Sequence, residues 1–291
     1  MTGVTTPPDR GLSRQPAGGR PVRKDEIEIP ERGLYIESWL PERRSRRKPI
    51  LYVHGALGGS WVWDRFLHHF AARGWEGHAL NLRNHFWSQT ADPSSLTIET
   101  YTEDVIAAME RLGPSAVAVG HGMGGLLVLK AIERAPVAAY ALIAPEPPRE
   151  VREPARPHVV REVPDAWGRA ELGWEVLPEK LIREQRDLTV ADVVRIQHLL
   201  GQKPFESGPA RRQVLAGVPV DRGALPDVPR LVIGAGLDTF VPEPDVERLA
   251  EWLGAPYEPF GAHSHYGLLL GEQGYLQVAD TLRAFLEQHR L

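Results

Sequence analysis

From Ile50 onward, short apolar runs alternate with stretches that carry helical periodicity. Runs of four to six residues are too short for helices. They also lack the polar alternation of a half-exposed strand, so they read as strands covered on both faces. Helices connecting parallel strands supply that cover. Strands are expected over residues 50–53, 77–82, 116–119, 138–143, 231–233 and 257–260, and helices over 61–72, 101–112, 123–133, 244–253 and 275–288. Ahead of them, residues 25–29 and 34–40 alternate polar and apolar across Pro30-Glu31-Arg32-Gly33, the pattern of an antiparallel hairpin. The fold class is therefore α/β, with a mostly parallel central sheet flanked by helices.

The strand and helix rhythm fails over residues 145–228, which open rich in proline and continue with helical patterns over 171–186 and 190–200. Ligands of open α/β sheets bind at the carboxyl ends of the strands, so an insertion over those ends is read as a lid. The core is then residues 25–144 and 229–291. Residues 1–24 carry no periodicity and are read as a disordered tail. The basic run from Arg43 to Lys48 is read as a solvated hairpin loop.

Composition narrows the function classes. A net charge of -4 gives no electrostatic footprint for nucleic acid. The chain has no cysteine, which removes disulfides, thiolate metal sites and a cysteine nucleophile. No apolar run approaches the roughly 18 residues of a membrane span, and no signal-like segment follows the N-terminal charges. The expectation is a cytoplasmic protein without metal or cofactor; no segment specifies an oligomeric state.

Four stretches carry chemistry. Val53-His54-Gly55-Ala56-Leu57-Gly58-Gly59-Ser60 ends a strand in a glycine-rich turn, where the N–H of Ala56 is placed to meet a developing oxyanion. His54 is read as a histidine that holds the turn, and Ser60 as a helix cap. Gly120-His121-Gly122-Met123-Gly124-Gly125 lies between a strand and a helix, which is the G-x-S-x-G elbow with glycine at its centre. The elbow puts the central residue at a strained backbone angle and aims the next N–H, that of Met123, at the same oxyanion. Asp238 follows the strand at 231–233, where a carboxylate can orient a histidine. His263 and His265 follow the last strand; His265 is preferred as the base because an apolar run comes directly after it. A rival exists in Gly120-x-Gly122-x-x-Gly125 with Glu146 about twenty residues on, which fits a dinucleotide fingerprint. It leaves the other three stretches unexplained.

Elbow, acid and histidine in that chain order resemble the α/β-hydrolase superfamily, particularly its lidded esterase, lipase and epoxide-hydrolase-like branch. The resemblance runs from about Pro49 to Gln288. It implies an α/β-hydrolase fold with a lid, and cofactor-free action on esters, thioesters or related acyl compounds. It assigns the nucleophile position to Gly122, the acid to Asp238, the base to His265 and the oxyanion donors to Ala56 and Met123. The family pattern has Ser at the position of Gly122, or Asp in some branches, so covalent catalysis is not expected from the chain as it stands.

Three readings follow: a hydrolase whose serine was replaced, an enzyme in which Asp238 and His265 act as a general base on water or on a substrate proton, or a small-molecule-binding pseudoenzyme. The expected partner is a small apolar acyl-type compound. Trp61, Trp63 and Trp167 are the candidate contacts to it, while Trp87 and Trp174 also fall in bordering segments.

Overall fold

In the computed structural model, residues 22–152, 155, 157–202 and 205–291 are described. The chain starts with an antiparallel hairpin, β1 (Val22–Ile29) and β2 (Leu34–Pro41). The strand opens at Val22, three residues before the alternation predicted it; the rest of the expected tail, residues 1–21, lies outside the described residues. Next come β3 (Ile50–Val53), α1 (Asp64–Ala71), β4 (Gly77–Asn81), α2 (Ile98–Leu112), β5 (Val117–His121), α3 (Met123–Ile132) and β6 (Ala139–Ile143). After β6 come α4 (Pro157–Glu162), β7 (Ala166–Trp167), α5 (Pro178–Glu184), α6 (Val190–Gln202), β8 (Glu206–Ser207) and α7 (Gly208–Ala216). The chain closes with β9 (Arg230–Ala235), α8 (Glu243–Leu253), β10 (Tyr257–Phe260), α9 (Gly267–Leu270) and α10 (Glu272–Gln288).

Eight strands form one sheet in the order β1-β2-β4-β3-β5-β6-β9-β10, parallel from β4 onward. Alternate residues of the central strands feed two separate cores. Ile50, Tyr52, Val117, Val119, Ala141 and Ile143 pack with α1 and α10. Leu51, Val53, Ala118, Tyr140 and Leu142 pack with α2, α3 and α8 on the other face. Each buried aliphatic side chain contributes about 1.5–3 kcal/mol, which is why these strands carry no polar face.

Local punctuation explains the helix limits. Thr97 and Thr100 make a reciprocal cap at the start of α2, and left-handed Gly254 ends α8. The helix expected over residues 61–72 is split into a 3-10 turn, Ser60–Trp63, and α1. Ser60 does not cap it. Its Oγ donates to Glu37 Oε2 at 2.8 Å, and its N–H is taken by Asn81 Oδ1 at 2.7 Å. The helix expected over 171–186 survives only as α5, because Gly173 is left-handed at φ 82° and Pro178 cannot continue a helix from its N-terminal side. In the basic loop, residues 43–46 are exposed, while the Arg47 guanidinium stacks 3.5 Å over Trp75.

Candidate active site

The turn between β5 and α3 holds Gly122 at φ 56° and ψ -124°, a backbone that L side chains adopt only under strain. Its neighbours are fixed by contact. A Cβ on Gly124 would lie 2.4 Å from the carbonyl oxygens of Val53 and His54, and one on Gly120 would lie 2.4 Å from that of Gly124. One on Gly125 would lie 2.6 Å from Pro145 Cβ. These glycines let β3, β5 and α3 touch backbone to backbone, so the turn's glycine spacing is explained by internal packing. A Cβ on Gly122 would meet no backbone closer than 3.8 Å; its nearest neighbour would be His265 Nε2 at 3.1 Å.

His265 is held from behind. Its Nδ1–H donates to Asp238 Oδ2 at 2.7 Å, which leaves Nε2 as the acceptor facing Gly122. The other carboxylate oxygen, Oδ1, accepts from the N–H groups of Phe240 at 2.7 Å and Val241 at 2.9 Å. Asp238 thus both closes its own turn and orients the imidazole. His121 Nε2–H donates to the His265 carbonyl at 3.1 Å, with the two rings 4.2 Å apart. Burial, and then the neighbouring His265, hold His121 well below the usual histidine range, so it stays neutral.

Ala56 and Met123 face the same cavity as Gly122 and His265. Met123 opens α3, so its N–H has no acceptor within the helix. The loop that carries Ala56 is pinned from two sides. His54 Nε2 accepts from Leu82 N–H at 3.2 Å and its Nδ1–H donates to Gly55 O at 2.7 Å; burial and the nearby His85 push this imidazole down to about 3, so it is neutral. Leu57, left-handed at φ 57°, donates its N–H to Glu206 Oε2 at 2.9 Å. Glu206 is fully buried and also accepts from His85 at 2.9 Å and from the Tyr101 hydroxyl at 2.5 Å. Burial pushes the Glu206 carboxyl up, but His85, Tyr101 and Leu57 together outweigh it and bring it to about 2.

The cavity measures about 40 Å³, room for roughly three waters. Trp167, Leu172, Phe240 and Tyr266 give it apolar walls, and Glu146 and Arg211 a charged one. Trp167 lines it, as expected. Trp61 and Trp63 do not: they pack in the core, Trp63 with Tyr52 and Phe66 at ring distances of 5.0 and 5.5 Å. Trp174 packs on Tyr266 from outside the lining, and Trp87 is exposed. His263 faces away from Gly122. Its ring nitrogens meet Gln277 Oε1 at 2.9 Å and Asp187 Oδ2 at 3.3 Å, and Asp187 also accepts the Ser264 N–H at 2.8 Å. Glu146, the acid of the dinucleotide fingerprint, is paired with Arg152 at 3.0 Å and Arg211 at 2.7 Å. Arg211, Asp187 and Glu206 carry no signal in the sequence, since no local pattern marks charged side chains whose partners lie 65, 77 and 149 residues away.

Residues 50–281 match the family described as the alpha/beta hydrolase family, and the chain belongs to it. It is 35% identical over 109 residues to Esterase PIR7B of Oryza sativa subsp. japonica, a stretch that covers 34% of this chain and 39% of that protein. It is 31% identical over 105 residues to Probable esterase PIR7A of Oryza sativa subsp. indica, covering 33% and 38%. The aligned stretch thus spans less than half the length of either relative. Among solved structures, a thermophilic esterase from Thermogutta terrifontis with malate bound superposes with a TM-score of 0.68 at 19% identity, over 92% of this chain and 100% of that one. A bromoperoxidase from Bacillus anthracis gives 0.69 at 15% identity, over 91% and 100%. At these identities the likeness is one of fold. No helix among the described residues is long and apolar enough to cross a membrane.

Proposed function

We propose that the protein cleaves a small ester, thioester or related acyl compound by general-base catalysis, with His265 as the base, Asp238 as its orienting acid and no covalent acyl-enzyme. The observation that carries this reading is the pairing of an oriented imidazole with an empty nucleophile position. Nδ1 is tied to Asp238 at 2.7 Å, and Nε2 faces the space that a side chain at 122 would enter. A water there gives its proton to Nε2 as its oxygen attacks the acyl carbon. The carbonyl oxygen becomes an oxyanion held by the N–H groups of Ala56 and Met123. His265 then returns the proton to the departing alkoxide or thiolate, leaving a carboxylic acid and an alcohol or thiol. Residues 145–228 act as the lid that closes this small cavity over the substrate, and they must open to admit one.

Turnover of short p-nitrophenyl esters tests the reading. His265→Ala should abolish it, His263→Ala should leave most of it, and mass spectrometry during turnover should show no acylated protein. Activity that survives His265→Ala, or a trapped acyl adduct, overturns it. Binding without any turnover would favour a receptor built on the same pocket.

A further inference from the structure

We propose that the cavity takes an acyl compound bearing a negatively charged group, held by Arg211; this rests on the acyl-site reading above and refines the apolar ligand expected from sequence. Arg211 lies on α7 and lines the cavity together with Gly122, His265 and Met123. Its distance from the elbow is short in bonded terms. Glu146 N–H donates to Gly122 O at 2.9 Å, and Glu146 Oε1 accepts from Arg211 Nη1 at 2.7 Å. The guanidinium therefore sits one glutamate side chain away from the elbow.

The charge arrangement at this wall is unbalanced. Glu146 is buried and already paired with Arg152, whose Nη1 donates to Oε2 at 3.0 Å and to the Val214 carbonyl at 3.0 Å. One arginine suffices to neutralise one carboxylate. A second one leaves a surplus positive charge at a cavity wall, beside apolar Trp167 and Leu172, and the Arg211 guanidinium stands 5.7 Å over the Trp167 ring. The other carboxylate of the site, Asp238, is occupied by His265 and two backbone N–H groups and does not line the cavity. Only one nitrogen of Arg211 is engaged in a hydrogen bond among the described residues. The remaining N–H groups form the planar fork that fits a carboxylate. The Arg211 side chain is 28% exposed, so these N–H groups are open to a ligand, and an anionic group on the substrate would take them up in charge-assisted hydrogen bonds.

Two unreactive anilides of matched length separate this inference from the catalytic one. N-phenylsuccinamate carries a terminal carboxylate; N-phenylbutanamide ends in a methyl group. Calorimetric titration of the whole protein should show the anionic probe binding about tenfold or more tighter, the size of a charge-assisted hydrogen bond. That preference should fall to within about threefold in Arg211→Gln and be only partly kept in Arg211→Lys, with thermal melts confirming that both variants are folded. Equal binding of the two probes, binding of neither, or an anion preference that survives Arg211→Gln overturns the assignment. The catalytic reading fails separately, by loss of its dependence on His265 in ester turnover, and that result leaves the probe preference where it is.

Discussion

The two sides of the cavity are built on different principles. On the elbow side, β3, β5 and α3 meet at glycines where an added Cβ would lie 2.4 Å from backbone oxygen, so position is set by contact. The stretch between β6 and β9 shares the apolar core through residues such as Trp174, Ile196 and Val214, and adds to it buried carboxylates that reach the loops of the site. Glu206 accepts the N–H of Leu57, one residue past Ala56, and Asp187 accepts that of Ser264, one residue before His265. Steric fit tolerates no adjustment, whereas a buried carboxylate holds only while its donors stay in place. The inserted residues therefore hold the two loops that carry the proposed oxyanion donor and base.

The sharpest way to probe the elbow side is Gly122→Ser. If the groups facing it are arranged for acyl transfer, hydrolysis of short p-nitrophenyl esters should rise by about a thousandfold, the size of a triad member's contribution. His265 must give by a few tenths of an ångström, since the new Cβ would lie 3.1 Å from Nε2. The serine form should also melt lower, because φ 56° costs a non-glycine residue about 1–3 kcal/mol. A folded variant with no gain in rate would mean that the groups facing position 122 are not arranged for acyl transfer to a side chain.

The next effect compares the two sides directly. Glu206→Ala leaves His85, Tyr101 and Leu57 without their shared acceptor and should cost about 3–5 kcal/mol in denaturant melts, as breaking a buried pair does. Gly124→Ala should cost on the order of 3 kcal/mol through collision with backbone. Their signatures differ. Hydrogen exchange should rise first over residues 157–216 in the glutamate variant and over β3 and β5 in the glycine variant; the same pattern in both would erase the distinction.

Acid gives the smallest and most graded contrast. His54, His69 and His78 on the sheet side are pushed down from 6.5 to about 3, 4 and 4, chiefly by burial. The unfolded chain takes up their protons first, so the stability they carry is complete above pH 6.5 and declines as pH falls to about 3. Glu206, lowered from 4.5 to about 2, keeps its contribution above pH 4.5 and loses it between there and about 2. Urea midpoints against pH should therefore fall in two stages, with His78→Gln flattening the upper one and Glu206→Gln the lower. A single stage would show that both sides titrate together.

The same division governs what could be read from the amino-acid order. Strand ends punctuated by glycine are local patterns, and β3, β5 and β9 lie within two residues of their expected positions. Asp238 and His265 stand in such punctuated turns, and the structure brings them to 2.7 Å. Tryptophans after a glycine turn read alike whether they face a cavity or a core, so the pattern points Trp61 and Trp63 at a ligand, whereas they pack in the core and do not line the cavity. Charged anchors are illegible for a further reason. Glu206 and Leu57 are 149 residues apart, and their bond exists only after the sheet has formed.

The backbone at position 122 also sets the direction in which selection runs. Glycine and serine codons can differ by a single base, so a nucleophile is one mutational step away for a suitable codon. Taking that step raises the folding cost by about 1–3 kcal/mol at φ 56°, while the reverse step lowers it. A lineage that ceases to need the acyl-enzyme would therefore drift toward glycine and gain stability as it does. It returns to serine only where the restored rate outweighs a less stable protein.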